Sequence, residues 1–83
     1  MRPGDARLTR RVRSEIIRRE LDTSRLDVRV IHGVAYLGGE LRPIRAHRIP
    51  DPKKEMEIIE SVVLQITGIR GIDNRIKWVE LTF

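Results

Sequence analysis

The chain has 83 residues, 40% of them hydrophobic and 35% charged, with a formal net charge of +5 and no cysteine. That length makes one small domain, the lack of cysteine excludes disulfides and thiolate metal sites, and no apolar run approaches the roughly 18 residues of a membrane span. Residues 1–19 hold seven arginines against Asp5 and Glu15, while the remainder balances at ten basic and ten acidic residues, so the whole excess is N-terminal. An asymmetry of this kind points to an anionic partner, with a solvated helix face as the plainer reading.

Taken in chain order, the first predicted element is a helix from about Ala6 to Glu20, with Asp5 as its N-cap. Leu8, Val12 and Ile16 recur at i+4 and form an apolar stripe about 80° wide. Arg7, Arg10, Arg11, Ser14 and Arg18 gather on the opposite side. Leu21 and the polar Asp22-Thr23-Ser24 close the helix. The alternation Leu26-Asp27-Val28-Arg29-Val30 then predicts a half-buried strand. His32-Gly33 reads as a two-residue hairpin turn into a second strand, from Val34 to Leu41. Within that strand Gly38-Gly39 predicts a bulge or bend.

Residues 42–54 read as a basic loop carrying three of the four prolines. A second helix is predicted from about Pro52, with Met56, Ile59, Val62, Val63 and Ile66 on one face. Glu55, Glu57 and Glu60 lie early, where the helix dipole favours anions, and Gly68 is the expected C-terminal stop. Ile72 to Phe83 is strand-like, with Ile72, Ile76 and Trp78 sharing one side and Val79, Leu81 and Phe83 the other. The order α-β-β-α-β predicts an α+β, two-layer sandwich with both helices packed on one face of a three-stranded sheet.

Three stretches carry a resemblance to a known family. They are Asp5-x-x-Leu8-x-x-x-Val12-x-x-x-Ile16; the hairpin Leu26-x-Val28-x-Val30-Ile31-His32-Gly33-Val34-x-x-Leu37-x-Gly39-x-Leu41; and Ile59-x-x-Val62-Val63-x-x-Ile66-x-Gly68-Ile69-x-x-Ile72-x-Asn74-x-Ile76. Together, from Asp5 to about Trp78, the chain resembles the BON domain, a small module named after bacterial osmotic-shock and nodulation proteins. It departs from the family pattern at His32, where Asn is usual, at Gly71 within the tail, and in the longer basic segment 42–54. The resemblance implies the α-β-β-α-β fold in a single domain over 1–83. It also implies association with phospholipid membranes or partner proteins without catalysis, and it carries over no active site.

Two basic sets are candidate contacts for an anionic surface. The first is Arg7, Arg10, Arg11 and Arg18 on the first helix, since guanidinium groups pair bidentately with phosphate. The second is Arg42, Arg45, Arg48, Lys53 and Lys54 around the loop, interleaved with Ile44 and Ile49 in a mixture suited to an interfacial loop. The isoleucines equally suit packing on the domain itself. The sheet face away from the helices has no intrachain cover. There Ile31, Val34 and Tyr36, with Val79, Leu81 and Phe83, are expected beside Arg29, Arg75 and Lys77 as a surface for self-association. Gly68-Ile69-Arg70-Gly71 matches the nucleic-acid-clamping GxxG loop in form, but a strand follows it at once, and a helix end is the better reading.

His32 and His47 lack neighbours at metal-ligand spacing, and no nucleophile–base arrangement or glycine-rich phosphate loop stands out. The chain therefore reads as a non-enzymatic module without cofactor or metal. Its expected partner is anionic lipid or an acidic protein surface, met through the arginine face. Homo-oligomerisation through the open sheet is the alternative, and nucleic acid is the less favoured partner given only three aromatic residues. With no apolar signal segment after Met1, a cytoplasmic location is expected, with peripheral membrane contact as its extension.

Overall fold

The computed structural model describes residues 3–44 and 51–79. Helix α1 spans Pro3–Ile17, strand β1 Leu21–Asp22, β2 Leu26–Ile31, β3 Val34–Pro43, helix α2 Pro52–Leu64, β4 Gly71–Asn74 and β5 Lys77–Trp78. Among the described residues the protein is thus α+β, with two helices and five hydrogen-bonded strand segments where three strands are expected. Every segment pairs with β3: β1 and β2 antiparallel, β4 and β5 parallel.

The extra segments have a local cause. Asp22 Oδ1 accepts the Ser24 N–H at 3.0 Å, and Asn74 Oδ1 accepts the Ile76 N–H at 3.0 Å. Each is a side-chain turn that lifts the backbone out of the ladder. Both turns sit beside Gly38-Gly39, so the sheet is interrupted at one level across its width. Gly39 has φ 79, and the Glu40 N–H bonds back to the Arg25 carbonyl at 3.0 Å. A Cβ on Gly39 would lie 2.0 Å from that same carbonyl oxygen. The predicted bend is there, and only glycine fits it.

The hairpin turn is also as expected, with His32 at φ 50 and Gly33 at φ 80. It is tied to the segment after α2, because Arg70 donates its backbone N–H to the Gly33 carbonyl at 2.9 Å and its Nε to the His32 carbonyl at 2.7 Å.

Several boundaries differ from expectation. α1 begins at Pro3, so Asp5 lies within its first turn and is buried rather than capping it. Glu20, at φ 59, ends the helical path, and Leu21–Asp22 forms β1 instead of a helix close. Arg42 and Pro43 belong to β3, and Lys53 and Lys54 to α2, so only the middle of the predicted loop lies between elements; 45–50 falls outside the described residues. α2 is capped by Asp51, whose Oδ1 accepts the Lys54 N–H at 3.1 Å. It ends at Leu64, with Gly68 in the turn that follows.

Alternation of β2 places Leu26, Val28 and Val30 inward and Asp27, Arg29 and Ile31 outward. Ala35, Leu37 and Leu41 of β3 join the inward set, and Val12 and Ile16 of α1 meet Ile59 and Val63 of α2 over it in one buried cluster. Leu8, Met56, Ile66, Ile72, Ile76 and Trp78 pack around its margin. Residues on both helices and on one face of the sheet therefore share a single core.

Candidate functional site

Helix α1 carries three stripes, two of them set by fourfold spacing. The apolar stripe, Leu8-Val12-Ile16, faces the core. Beside it runs a polar stripe, Asp5-Thr9-Arg13, that serves the backbone of β2 and of the turn after it. Asp5 Oδ2 accepts the His32 N–H at 3.3 Å, Thr9 Oγ1 accepts the Val30 N–H at 3.0 Å, and Arg13 Nη1 donates to the Leu26 carbonyl at 3.2 Å. The bonds from Thr9 and Arg13 occupy groups on the strand that β3 does not use, which protects an edge otherwise open to foreign pairing.

The third stripe is the predicted arginine face. Arg7, Arg10, Arg11 and Arg18 are all exposed. Glu15 sits among them and pairs with Arg11 at 3.1 Å and Arg18 at 3.5 Å. Arg7 and Arg10 have no ion pair among the described residues. Arg7, Leu8, Arg11 and Glu15 form one wall of a groove of about 510 Å³ between the helices, and Val62, Gln65, Ile66 and Thr67 form the other. Leu8, Val62 and Ile66 make its lining partly aliphatic, and Arg7 and Arg11, with Glu15 between them and the helix end, supply its charged side.

Three members of the second predicted basic set lie among the described residues. Arg42 is half-buried on β3 and is engaged by Asp22 at 3.8 Å and Glu40 at 3.4 Å. Lys53 and Lys54 are exposed in the first turn of α2. Arg45 and Arg48 lie outside the described residues. Of the predicted sheet-face set, Ile31 and Tyr36 are 41% and 42% exposed, while Val79 is half-buried and donates its N–H to the Leu41 carbonyl at 2.9 Å. Leu81 and Phe83 lie outside the described residues.

Two exposed aliphatics on the helix layer escaped the sequence reading: Ile17, 49% exposed, and Leu64, 51% exposed. A signal was present. In Ile16-Ile17 and in Val63-Leu64, adjacent residues on a helix point about 100° apart, so when Ile16 and Val63 point into the core their neighbours turn towards its rim. No described helix is long and apolar enough to cross a membrane. Among the described residues, no three His, Asp or Glu side chains converge as a metal site.

Neither curated proteins nor solved structures yield a match to the chain. Among protein-family models the BON domain matches residues 4–43, the stretch that runs from α1 through β3 and holds the arginine face, the hairpin and the glycine bend. The third stretch of the resemblance, on α2 and β4, lies beyond the matched residues. Residues 4–43 of this chain are thus similar to the BON domain.

Proposed function

We propose that the chain is a single-domain, non-catalytic binding module whose helix layer docks on anionic phospholipid. The observation that carries this reading is the interhelical groove with a partly aliphatic lining and Arg7 and Arg11 on its charged side. A lipid phosphate meets the arginines while the start of an acyl chain meets Leu8, Val62 and Ile66. Ile17 and Leu64 add exposed apolar contact of the kind that interfacial helices use. The similarity of residues 4–43 to the BON domain, a resemblance that implied phospholipid association from the start, supports the same reading.

The expected strength is modest. Four arginines offset by Glu15 leave three net charges on the face, and each cation near an anionic bilayer contributes about 1 kcal/mol. About 3 kcal/mol from charge gives weak, salt-sensitive attachment and a peripheral rather than integral location.

Flotation with vesicles of phosphatidylserine and phosphatidylcholine, against phosphatidylcholine alone, tests the proposal. The protein floats with the anionic vesicles at low salt and is released at high salt. The double substitution Arg7→Glu/Arg11→Glu abolishes flotation while circular dichroism stays unchanged. Undiminished flotation of that variant, or equal binding to neutral vesicles, overturns the reading.

A further inference from the structure

The sheet face opposite the helices carries a charge pattern that the lipid reading leaves unused. Strand register places its outward side chains in levels. Arg29 of β2 lies beside Tyr36 of β3, which lies beside Asp73 of β4. One level away Ile31 lies beside Val34, and Val34 beside Gly71. On the other side Asp27 lies beside Gly38. Arg75, which follows β4, donates its N–H to the Leu37 carbonyl and its Nε to Asp73 Oδ1 at 3.2 Å. Asp27, Arg29, Ile31, Tyr36, Asp73 and Arg75 surround one shallow depression of about 370 Å³.

The four charges form an alternating square about Tyr36 and Gly38. On the β2 side the order is Asp27 then Arg29, and on the β4 side it is Arg75 then Asp73. Such a square is self-complementary. We propose that this face binds a second copy of the chain about a two-fold axis parallel to β3. That rotation keeps each level in place and exchanges the β2 side of one copy with the β4 side of the other. Arg29 then faces the partner's Asp73, and Asp27 faces the partner's Arg75. Tyr36 and Val34 each meet their own counterparts, and Ile31 covers the partner's Gly71.

The apolar level selects this axis over the other possibility. A two-fold across the strands also matches Arg29 with the partner's Asp27. It sets the Ile31–Val34 level against the level of Glu40 and Lys77, burying aliphatics on charges. Edge-to-edge pairing through β2 is disfavoured as well, because α1 already occupies two of its outer backbone groups, the Val30 N–H through Thr9 and the Leu26 carbonyl through Arg13.

Within one chain the Asp27–Arg29 pair of the square is long, and the Arg75–Asp73 pair, held at 3.2 and 3.5 Å, lies at the surface. Arg29 lies 3.9 Å from Asp27 with both side chains more than 60% exposed, and the Arg75 side chain is 82% exposed. Exposed pairs of this kind hold their partners weakly, so the charges are free to take intermolecular ones. Dimerisation goes beyond the lipid reading and does not depend on it, since the helix layers point away from the contact.

Light scattering and sedimentation over a concentration series, without lipid and at low salt, provide the test. The wild-type protein shows a monomer–dimer equilibrium that salt weakens. Arg29→Asp alone and Asp73→Arg alone each place like charges opposite one another and weaken association by about tenfold or more. An equimolar mixture of the two variants recovers the dimer, because each then offers the charge that the other lacks; recovery also shows that both variants fold. A wild-type chain that stays monomeric throughout overturns the proposal, as do single variants that dimerise undiminished. Recovery of Arg29→Asp by Asp27→Arg in place of Asp73→Arg overturns the axis.

Discussion

At the scale of single residues, the pair Arg19–Glu55 matters most to the helix layer. Arg19 follows α1, Glu55 is buried in the first turn of α2, and the guanidinium grips the carboxylate through Nη2 at 2.6 Å and Nε at 3.2 Å. Hydrogen bonding to Glu55 holds the Arg19 guanidinium above its ordinary value despite the opposing cost of burial, and the carboxylate charge adds to the rise. Removing one member of a buried pair is costly because the other stays buried and unpaired. Arg19→Met is expected to destabilise the fold by about 2–3 kcal/mol, below the range for fully buried pairs because the arginine is partly exposed. Urea denaturation should show that loss, and Arg19→Met/Glu55→Met should recover most of it. In the sequence Glu55 reads as an anion suited to a helix start. Its fourfold spacing to Ile59 and Val63 places it on the core stripe, and that spacing was legible. Its partner, 36 positions away, was not, because no local pattern joins them.

At the scale of elements, α1 binds the sheet edge through polar atoms as well as covering the core. Thr9 shows how far that matters. Its hydroxyl accepts the N–H of fully buried Val30 and donates to the Asp5 carbonyl at 2.8 Å. Thr9→Val keeps the shape but leaves the Val30 N–H without its acceptor, at an expected cost of about 1–3 kcal/mol. Thr9→Ser should retain most of the stability, with thermal unfolding of the three proteins as the check. The apolar stripe and the arginine stripe of this helix stand out in the sequence because each collects one residue class. The polar stripe mixes acid, hydroxyl and base, so only a folded β2 reveals that all three serve one strand and the turn that follows it. Strand positions followed a similar division. His32-Gly33 and Gly38-Gly39 announced the turn and the bend, because positive φ demands particular residues. The two-residue β1 and the side-chain turns at Asp22 and Asn74 carry no periodicity long enough to read.

At the scale of the whole molecule, the element order fixed the class, and alternation in β2 fixed which face lies inward. The charge square on the open face was out of reach, because it needs the register of β4 against β3 and not merely the existence of the strands. The common interruption at Gly38-Gly39 has a dynamic consequence. It works as a crease dividing the sheet into two panels. The larger holds β2, the first half of β3 and β4; the smaller holds β1, the end of β3 and β5. Only the larger panel is bonded to the polar stripe of α1, and the smaller has two-residue partners on both flanks. In hydrogen exchange, the amides of Arg42 and Val79 should therefore lose protection before those of Val28 to Leu37. Equal rates on both sides of the crease would mean that the sheet opens as one body. Unequal rates would make the smaller panel a flap that breathes while the arginine face and the charge square stay in place.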